Sequence, residues 1–99
     1  MAGWLTIDNT APTDQDTVFA TAVFVNGGAP VAINPSDDPN NTVWLAPSGT
    51  TSFVVSSSMT SAGGTAPSIN APPTEDVYYL YVIDAVGNVS AQSIAAVTV

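Results

Sequence analysis

Carboxylates, amides, hydroxyls and aromatic rings are the only side chains here that could do chemistry, because the chain contains no lysine, arginine, histidine or cysteine. Its eight acidic residues are Asp8, Asp14, Asp16, Asp37, Asp38, Glu75, Asp76 and Asp84. Without an imidazole, a thiolate or an amine, the chain lacks the usual general bases and activated nucleophiles. The adjacent Glu75 and Asp76 would point to opposite faces of a strand, which is poor geometry for a paired-carboxylate glycosidase. The sequence therefore predicts that the protein is not an enzyme.

Two interpretations stay open for the five-residue segment that begins at Asp84 and ends at Asn88. In the structural one, Gly87 adopts a positive φ, and Asp84 and Asn88 hydrogen-bond the backbone of their own turn. In the other, Asp84 and Asn88 offer hard oxygen ligands to calcium, which takes six to eight of them. Asp8 and Asn9 would then approach the same end of the domain, or join the turn of a neighbouring copy. The candidate calcium ligands are therefore Asp8, Asn9, Asp84 and Asn88.

The remaining acids in the first half of the chain are interpreted as surface charge. Asp14 and Asp16 would point the same way in an extended segment, where they would be solvated loop charges. The stretch Asp37–Asn41 resembles a calcium loop in composition. However, it lacks the D-x-[DN]-x-[DN]-G order of such loops, and Pro39 interrupts it.

Three aromatic residues could form an exposed platform on which a sugar stacks: Trp4, Tyr79 and Tyr81. The alternative is burial of Trp4 against a neighbouring module or within the domain. An outward pair of tyrosines on one strand would equally serve ordinary cross-strand packing.

The net charge of −8, with no basic side chain, limits the partners. Binding to nucleic acids or to anionic membrane surfaces needs Lys or Arg. No apolar run approaches the roughly 18–20 residues of a membrane-spanning helix, and the N-terminus lacks the basic and apolar regions of a signal peptide. The sequence therefore predicts no nucleic-acid binding and no membrane insertion, and it permits divalent cations and basic proteins as partners.

Short runs rich in Thr, Val and Ala between Gly, Pro and Asn predict an all-β chain. The expected strands are Leu5–Asp8, Thr17–Val25, Pro30–Asn34, Thr42–Ala46, Thr51–Val55, a short one at Ser68–Ala71, Val77–Ile83, and Val89–Val99 with a bulge near Gln92. Asn26-Gly27-Gly28 predicts a hairpin between the second and third of these, and residues 56–67 are expected to form a loop. About seven short strands at this spacing favour a sandwich of two antiparallel sheets.

Two expectations concern the core. The strand Val77–Ile83 has two possible inward faces: one is Tyr78, Leu80 and Val82, and the other is Val77, Tyr79, Tyr81 and Ile83. The first is favoured, because it places Tyr78 at the strand entrance, where its hydroxyl can fasten the preceding corner. Trp44 is expected in the core, although Val43 and Leu45 compete for the same face.

The two ends of the chain carry the most specific motifs. Leu5-Thr6-Ile7-Asp8-Asn9 reads as a continuation of the closing Val97-Thr98-Val99, as in a module cut from a tandem array. Asp8-Asn9-Thr10-Ala11-Pro12-Thr13 and the stretch YYLYVIDAVGNVS at residues 78–90 resemble bacterial immunoglobulin-like repeats of large cell-surface proteins and adhesins. Related repeats usually carry some Lys or Arg, so this chain departs from that pattern.

The resemblance implies an immunoglobulin-like β-sandwich of about seven strands in one module, 1–99, with 1–13 as a strand and linker that resemble the end of a preceding repeat. It implies an extracellular stalk, spacer or filament unit, with neighbouring copies as partners and with calcium stiffening the module junctions. Two alternatives stay open. One is a module that binds a glycan or a host or cell-surface protein. The other is self-assembly, in which an edge strand such as Leu5–Asp8 adds to a neighbour's sheet.

Overall fold

The computed structural model describes residues 10–50, 55, 56 and 58–99. The elements in this part of the chain are α1 (Gln15–Val18), β1 (Val23–Phe24), β2 (Pro30–Ala32), β3 (Thr42–Pro47), β4 (Thr60–Gly63), β5 (Ser68–Asn70), β6 (Val77–Ile83) and β7 (Ala96–Thr98). The protein is mostly β, as the sequence predicts. Among the residues described, no helix has the length and apolar character needed to cross a membrane.

The strands form a curled five-stranded sheet and a small second sheet. The larger sheet has the order β1-β7-β6-β3-β4, and the smaller one pairs β2 with β5. All described pairs are antiparallel except β1 with β7, which run parallel. The prediction of two antiparallel sheets is therefore wrong for the larger one, which is mixed.

Strand β6 lies at the centre of the larger sheet, and its alternate residues build the core. Tyr78, Leu80 and Val82 are almost completely buried, which confirms the predicted inward face. On β3, Val43 and Leu45 are fully buried and lie directly opposite Val82 and Leu80. One hydrophobic cluster joins these side chains to residues of the smaller sheet and of the helix region: Val18, Phe19, Val31 and Ile69.

The prediction that Trp44 belongs to the core is wrong. Val43 and Leu45 take that face, and because successive side chains of a strand alternate, Trp44 is turned to the other side and stays half-buried. There it lies opposite Tyr81 of β6.

The Tyr78 hydroxyl fastens the chain that leads into β6. It donates a hydrogen bond of 2.6 Å to the Thr74 carbonyl, as expected from its position at the start of the strand. Burial, with a smaller contribution from the negative charge of Asp76, raises the pKa of Tyr78 above its ordinary value. Both the ring and the hydroxyl of this residue therefore hold the corner in place.

The predicted hairpin across Asn26-Gly27-Gly28 is wrong, although the turn itself is present. Ala29 N–H donates to the Asn26 carbonyl at 3.1 Å, and only Gly28 of the two central residues has a positive φ, +79°. This pattern is that of a type II turn, which splays the flanking strands instead of matching their twist. As a result β1 pairs with β7 in one sheet, and β2 pairs with β5 in the other.

The predicted strand Thr17–Val25 is replaced by a helical turn and a two-residue strand. The Asp14 carbonyl accepts the N–H groups of Thr17 and Val18 at 3.0 and 2.9 Å. Val18 and Phe19 are then both buried, although they are consecutive. A strand would turn one of the two outward, so the helical turn is what brings both into the core.

The predicted last strand, Val89–Val99, is interrupted. Only Ala96–Thr98 forms β7, with an isolated bridge between Ile83 and Val89. Between them, two buried serine hydroxyls take over the ladder: Ser90 Oγ accepts Val82 N–H, and Ser93 Oγ accepts Leu80 N–H, both at 2.9 Å. The irregularity expected near Gln92 as a bulge is thus a longer break that serine side chains bridge.

Two further expectations meet the structure in part. The predicted loop 56–67 contains β4, which pairs with β3 over four residue pairs despite its Ser, Ala and Gly composition. Tertiary pairing therefore outweighs the low intrinsic strand preference of these residues. The predicted strand Leu5–Asp8, and Thr51–Val54 of the strand Thr51–Val55, lie outside the described residues.

Candidate functional site

The segment from Asp84 to Asn88 is a hairpin turn held by its own polar groups. Gly87 N–H donates to the Asp84 carbonyl at 3.1 Å, Asp84 N–H donates to the Asn88 carbonyl at 3.0 Å, and Gly87 has a φ of +97°. A turn followed by a left-handed glycine is the arrangement of a three-residue hairpin loop with a bulge.

The side chain of Asp84 organises this turn. Its Oδ1 accepts the N–H groups of Val86 at 3.1 Å and Asn88 at 2.8 Å, and its Oδ2 accepts the Asn88 amide at 2.9 Å. The structural interpretation of Asp84 and Asn88 is therefore confirmed. At least three of the roughly four acceptor positions of a carboxylate are used here, so a cation would share Asp84 with the turn.

Asp84 faces a shallow depression at the end of β6 where the described chain begins. The depression has a volume of about 340 Å³ and is lined by Thr10, Ala11, Pro12, Thr13, Asp37, Asp38, Asn41 and Asp84. We call these residues the Asp84 pole. Residues 10–13 of the linker line the end of the domain that carries Asp84, which is the placement that the calcium hypothesis predicts. Of the four candidate ligands, Asp8 and Asn9 lie outside the described residues.

The loop Ser36–Asn41 builds the other wall of the Asp84 pole. Asp38 Oδ1 accepts Asn40 N–H at 2.9 Å, and the buried Asn41 amide donates to Ser36 Oγ at 3.0 Å. Gly64 packs closely against this loop, and a Cβ at position 64 would lie only 2.6 Å from the Asn41 carbonyl oxygen. Asn41 is therefore a structural residue of this loop.

Asp14 and Asp37 form a pair of interacting acids beside this wall. Asp14 Oδ2 accepts the Ser36 hydroxyl at 2.5 Å and Asp37 N–H at 3.0 Å. Burial pushes the pKa of Asp14 upward, but these hydrogen bonds to its ionised form outweigh burial and leave the pKa below its ordinary value. The negative charge of Asp14 raises the pKa of the exposed Asp37, with smaller contributions that include Asp38.

Asp16 also has a structural partner. Its Oδ1 accepts Ile94 N–H at 2.7 Å, from a residue 78 positions further along the chain. The interpretation of Asp14 and Asp16 as solvated loop charge is therefore wrong, because both carboxylates bind distant backbone groups. Neither contact has a local sequence signal, since the partners are brought near only by the fold.

The geometry at the Asp84 pole is incomplete as a metal centre. In the part of the chain that the structure describes, no three His, Cys, Asp or Glu side chains lie close enough together to hold a metal ion. Calcium would need further oxygens, and Asp8 and Asn9 are the candidates that the sequence supplies. What the described residues offer by themselves is a negatively charged surface around Asp37, Asp38 and Asp84.

The predicted aromatic platform is not assembled by the described residues. Tyr81 is only 8% exposed, and its hydroxyl donates to Gln92 Oε1 at 3.2 Å. Burial, and to a lesser extent the neighbouring Tyr79, raises the pKa of Tyr81. Trp4 lies outside the described residues. Of the two tyrosines, the half-buried Tyr79 is therefore the remaining candidate for stacking on a sugar.

Among the described residues, the most exposed large apolar side chains lie elsewhere. Phe24 on β1 is 84% exposed and Ile94 is 86% exposed. A second open depression is lined by residues of β1, β7 and the segments that follow them: Phe24, Val25, Asn26, Thr98 and Val99. We call these residues the Val99 pole.

Comparison with protein-family models, curated protein sequences and solved structures finds no match to this chain. Its function must therefore be inferred from these two poles and the surface between them.

Proposed function

We propose that the chain is an extracellular structural module, an immunoglobulin-like repeat that serves as a stalk, spacer or filament unit of a bacterial surface protein or adhesin. The observation that carries this proposal is the placement of Thr10 and Val99. Thr10 lines the depression beside Asp84, which follows β6. Val99 N–H donates to the carbonyl of Asp76, which precedes β6.

The chain therefore runs from one pole to the other along the axis of β6. Seven residues of strand span about 23 Å at roughly 3.3 Å per residue. A module whose chain positions 10 and 99 lie at opposite poles can be joined to further copies end to end, so that each copy adds its length to a rod. A module with both ends at one pole would instead fold copies back beside each other.

Two features support the immunoglobulin-like assignment within this proposal. The first is the contact between the Tyr78 hydroxyl and Thr74, which resembles the tyrosine corner of immunoglobulin-like domains. The second is the shared core of the five-stranded and two-stranded sheets. Neither feature involves chemistry on a substrate, which agrees with a mechanical role.

Calcium belongs to the proposal as a stiffener of the junctions. The Val99 pole of one copy would meet the Asp84 pole of the next, where Asp84 and Asn88, with Asp8 and Asn9 from the linker, would contribute oxygens. Divalent cations are favoured at this pole because Asp37, Asp38 and Asp84 surround the same depression without any basic side chain.

The rod is tested by joining two and four copies in tandem and measuring their maximum dimension by small-angle X-ray scattering. We expect the maximum dimension to grow by equal steps with each added copy. If the maximum dimension grows by less with each added copy, the modules fold back on one another, and the spacer role is rejected.

The calcium part is tested on the two-copy protein by thermal unfolding in millimolar calcium, in magnesium and in chelator. We expect calcium to raise the melting temperature and an Asp8→Asn variant to lose that rise. Asp8 is the suitable position, since a change at Asp84 would break the turn by itself. Glu75→Gln in the second copy alone removes a charge near the Val99 pole that faces no junction, so it should keep the rise. An equal loss in both variants would indicate general charge screening.

A second candidate function is binding to a protein partner or to further copies by strand addition. The exposed Phe24 lies on β1, an outermost strand of the larger sheet as described, and such an edge can accept another strand. Light scattering over a concentration series tests it. Assembly that a Phe24→Thr variant abolishes would favour this function, and a monomer at every concentration would argue against self-assembly.

A further inference from the structure

We propose that Asn26 is a self-modifying site, at which the backbone nitrogen of Gly27 converts the asparagine side chain to aspartate and isoaspartate. This inference does not depend on the proposed function. Both residues are exposed, at the turn that leads from β1 to β2. The reaction needs an asparagine followed by a backbone N–H that is free to lose its proton and close on the side-chain carbon.

The hydrogen bonds of the turn leave that nitrogen free. Ala29 N–H donates to the Asn26 carbonyl at 3.1 Å, and Gly28 N–H donates to the Ala71 carbonyl at 3.0 Å. Gly27 N–H, between these two bonds, has no acceptor among the described residues. The attacking nitrogen is thus protected by no hydrogen bond among the described residues.

The fold also requires glycine at position 27. A Cβ on Gly27 would lie 2.5 Å from the Pro73 carbonyl oxygen, which is far inside van der Waals contact. A larger side chain after an asparagine slows the ring closure by crowding the attacking nitrogen. This turn cannot gain that protection, because Pro73 leaves no space for a side chain at position 27.

The other described asparagines lack this combination. Asn34 precedes Pro35, which has no N–H. After Asn40 and Asn70, the next backbone N–H is engaged: Asn41 N–H with the Asp38 carbonyl at 3.1 Å, and Ala71 N–H with the Ala29 carbonyl at 2.8 Å.

Asn41 and Asn88 are held differently. Their side-chain amides donate hydrogen bonds, to Ser36 at 3.0 Å and to Asp84 at 2.9 Å. Each is followed by a β-branched residue, Thr or Val, which hinders ring closure. Among the described asparagines, Asn26 alone combines exposure, a following glycine and a free attacking N–H.

The step balances with water and hydroxide as the only co-reactants. Hydroxide takes the proton of Gly27 N–H, and the nitrogen forms a bond to Cγ of Asn26. The Cγ–Nδ2 bond breaks, and Nδ2 leaves as ammonia after taking a proton from water. The product is a five-membered succinimide. Water then adds to one of its two carbonyl groups and opens the ring to aspartate or to isoaspartate.

The product changes the Val99 pole, to which Asn26 belongs. Either product adds one negative charge to a chain that already carries −8 and has no basic side chain to balance it. Isoaspartate in addition lengthens the backbone by one carbon, in a turn whose Gly28 and Ala29 are hydrogen-bonded to Ala71. We expect the isoaspartate form to be the less stable of the two products for this reason.

The test follows the purified folded chain through days in mildly alkaline buffer, with digestion by a protease that cuts before aspartate. The peptide from Asp16 to Ser36 contains both Asn26 and Asn34 and no further acid. We expect a new cut at position 26 from the aspartate product. We also expect an uncut peptide that is heavier by the difference between water and ammonia, and fragment masses should assign that change to Asn26. The rate should rise in proportion to hydroxide.

A synthetic peptide of the sequence VFVNGGA and an Asn26→Gln variant serve as controls. The folded chain should react within about tenfold of the peptide rate, a difference in barrier of about 1.4 kcal/mol, and the variant should show neither product. A folded chain that reacts more slowly than this, or a mass change that falls on Asn34, would overturn the proposal. Comparing the melting temperature of the isoaspartate product with that of Asn26→Asp separates the backbone effect from the charge.

Discussion

The turn at Asp84 and the region where α1 meets Ser90–Ala95 both use polar side chains to hold backbone groups, but over different distances along the chain. Asp84 binds N–H groups two and four residues away. Asp16 binds one 78 residues away, and Ser93 binds Leu80 N–H across 13 residues. The first set of bonds makes a local turn, and the second holds distant parts of the fold together.

The difference lies in burial as much as in distance. Val86 N–H, a partner of Asp84, is exposed, so water can replace the carboxylate if it is removed. The bonds of Ser90 and Ser93 to β6 are buried. A buried N–H that loses its acceptor keeps the full cost of its desolvation. Loss of a buried anchor such as Ser93 should therefore cost more than loss of a more exposed one such as Asp84 or Asp16, and this ranking can be tested.

The largest effect is expected for Ser93→Ala. The change removes the acceptor of Leu80 N–H and the donor to the Ala95 carbonyl, in a residue that is 1% exposed. We expect the free energy of unfolding to fall by about 1–3 kcal/mol, measured by urea denaturation. Ser61→Ala, on the exposed face of β4, is the matched control. A loss no greater than that of the control would mean that water replaces the hydroxyl.

The same contrast explains which parts of the fold could be predicted. Strands β3 and β6 carry runs of β-branched and aromatic residues. Alternation left two possible inward faces for β6, and the position of Tyr78 at the strand entrance selected the correct one. The break at Ser90–Ser93 could not be predicted, because serine hydroxyls replace ladder carbonyls only where a particular strand lies opposite. The hairpin predicted at Asn26 failed in a similar way, since Gly28 and Ala29 of the turn hydrogen-bond with Ala71, a residue far along the chain.

A smaller loss is expected for Asp84→Ala. The change removes at least three hydrogen bonds at once, but water reaches part of the turn, so we expect a loss of about 1–2 kcal/mol in chelator. Glu75→Ala controls for the loss of one surface charge. If calcium binds at the Asp84 pole, the loss in the two-copy protein should grow when calcium is added. A loss above that of Ser93→Ala in chelator would reverse the ranking of buried and more exposed anchors.

Asp16→Ala should cost less again, because its bond to Ile94 N–H is exposed. We expect a loss of about 0.5–1.5 kcal/mol and faster hydrogen exchange at the Ile94 amide. Asp16→Asn keeps an acceptor oxygen and should retain most of the protection. Equal exchange rates in the wild-type and Asp16→Ala proteins would show that the contact does not persist in solution.

The candidate site was predictable only in its local half. The motif from Asp84 to Asn88 identified the turn because its bonds are made within five residues. The contacts of Asp14 with Ser36 and Asp37 bridge more than twenty residues, and no spacing rule links them. Sequence patterns therefore identify where a carboxylate can hold its own turn, whereas the fold decides which distant backbone group another carboxylate binds.

The smallest effects are expected in how stability changes with pH. Asp14 and Asp37 contribute to this change with opposite signs. Hydrogen bonds outweigh burial and lower the pKa of Asp14, so its contribution to stability is present above the unfolded pKa, about 3.9, and is lost as pH falls. The negative charge of Asp14 raises the pKa of Asp37. The contribution of Asp37 is therefore present at low pH and is lost as pH rises through its folded pKa.

These opposite signs predict opposite variants. At neutral pH, Asp37→Asn should be slightly more stable than the wild type, because it removes repulsion from Asp14, and Asp14→Asn should be less stable, because it weakens the bonds to Ser36 and Asp37. Below about pH 3 most carboxyls are protonated, so both differences should shrink. Urea denaturation from neutral pH downward measures them, with Glu75→Gln as the control for net charge. If Asp37→Asn merely follows that control at every pH, the two acids do not interact in solution, and the Asp14 anchor acts alone.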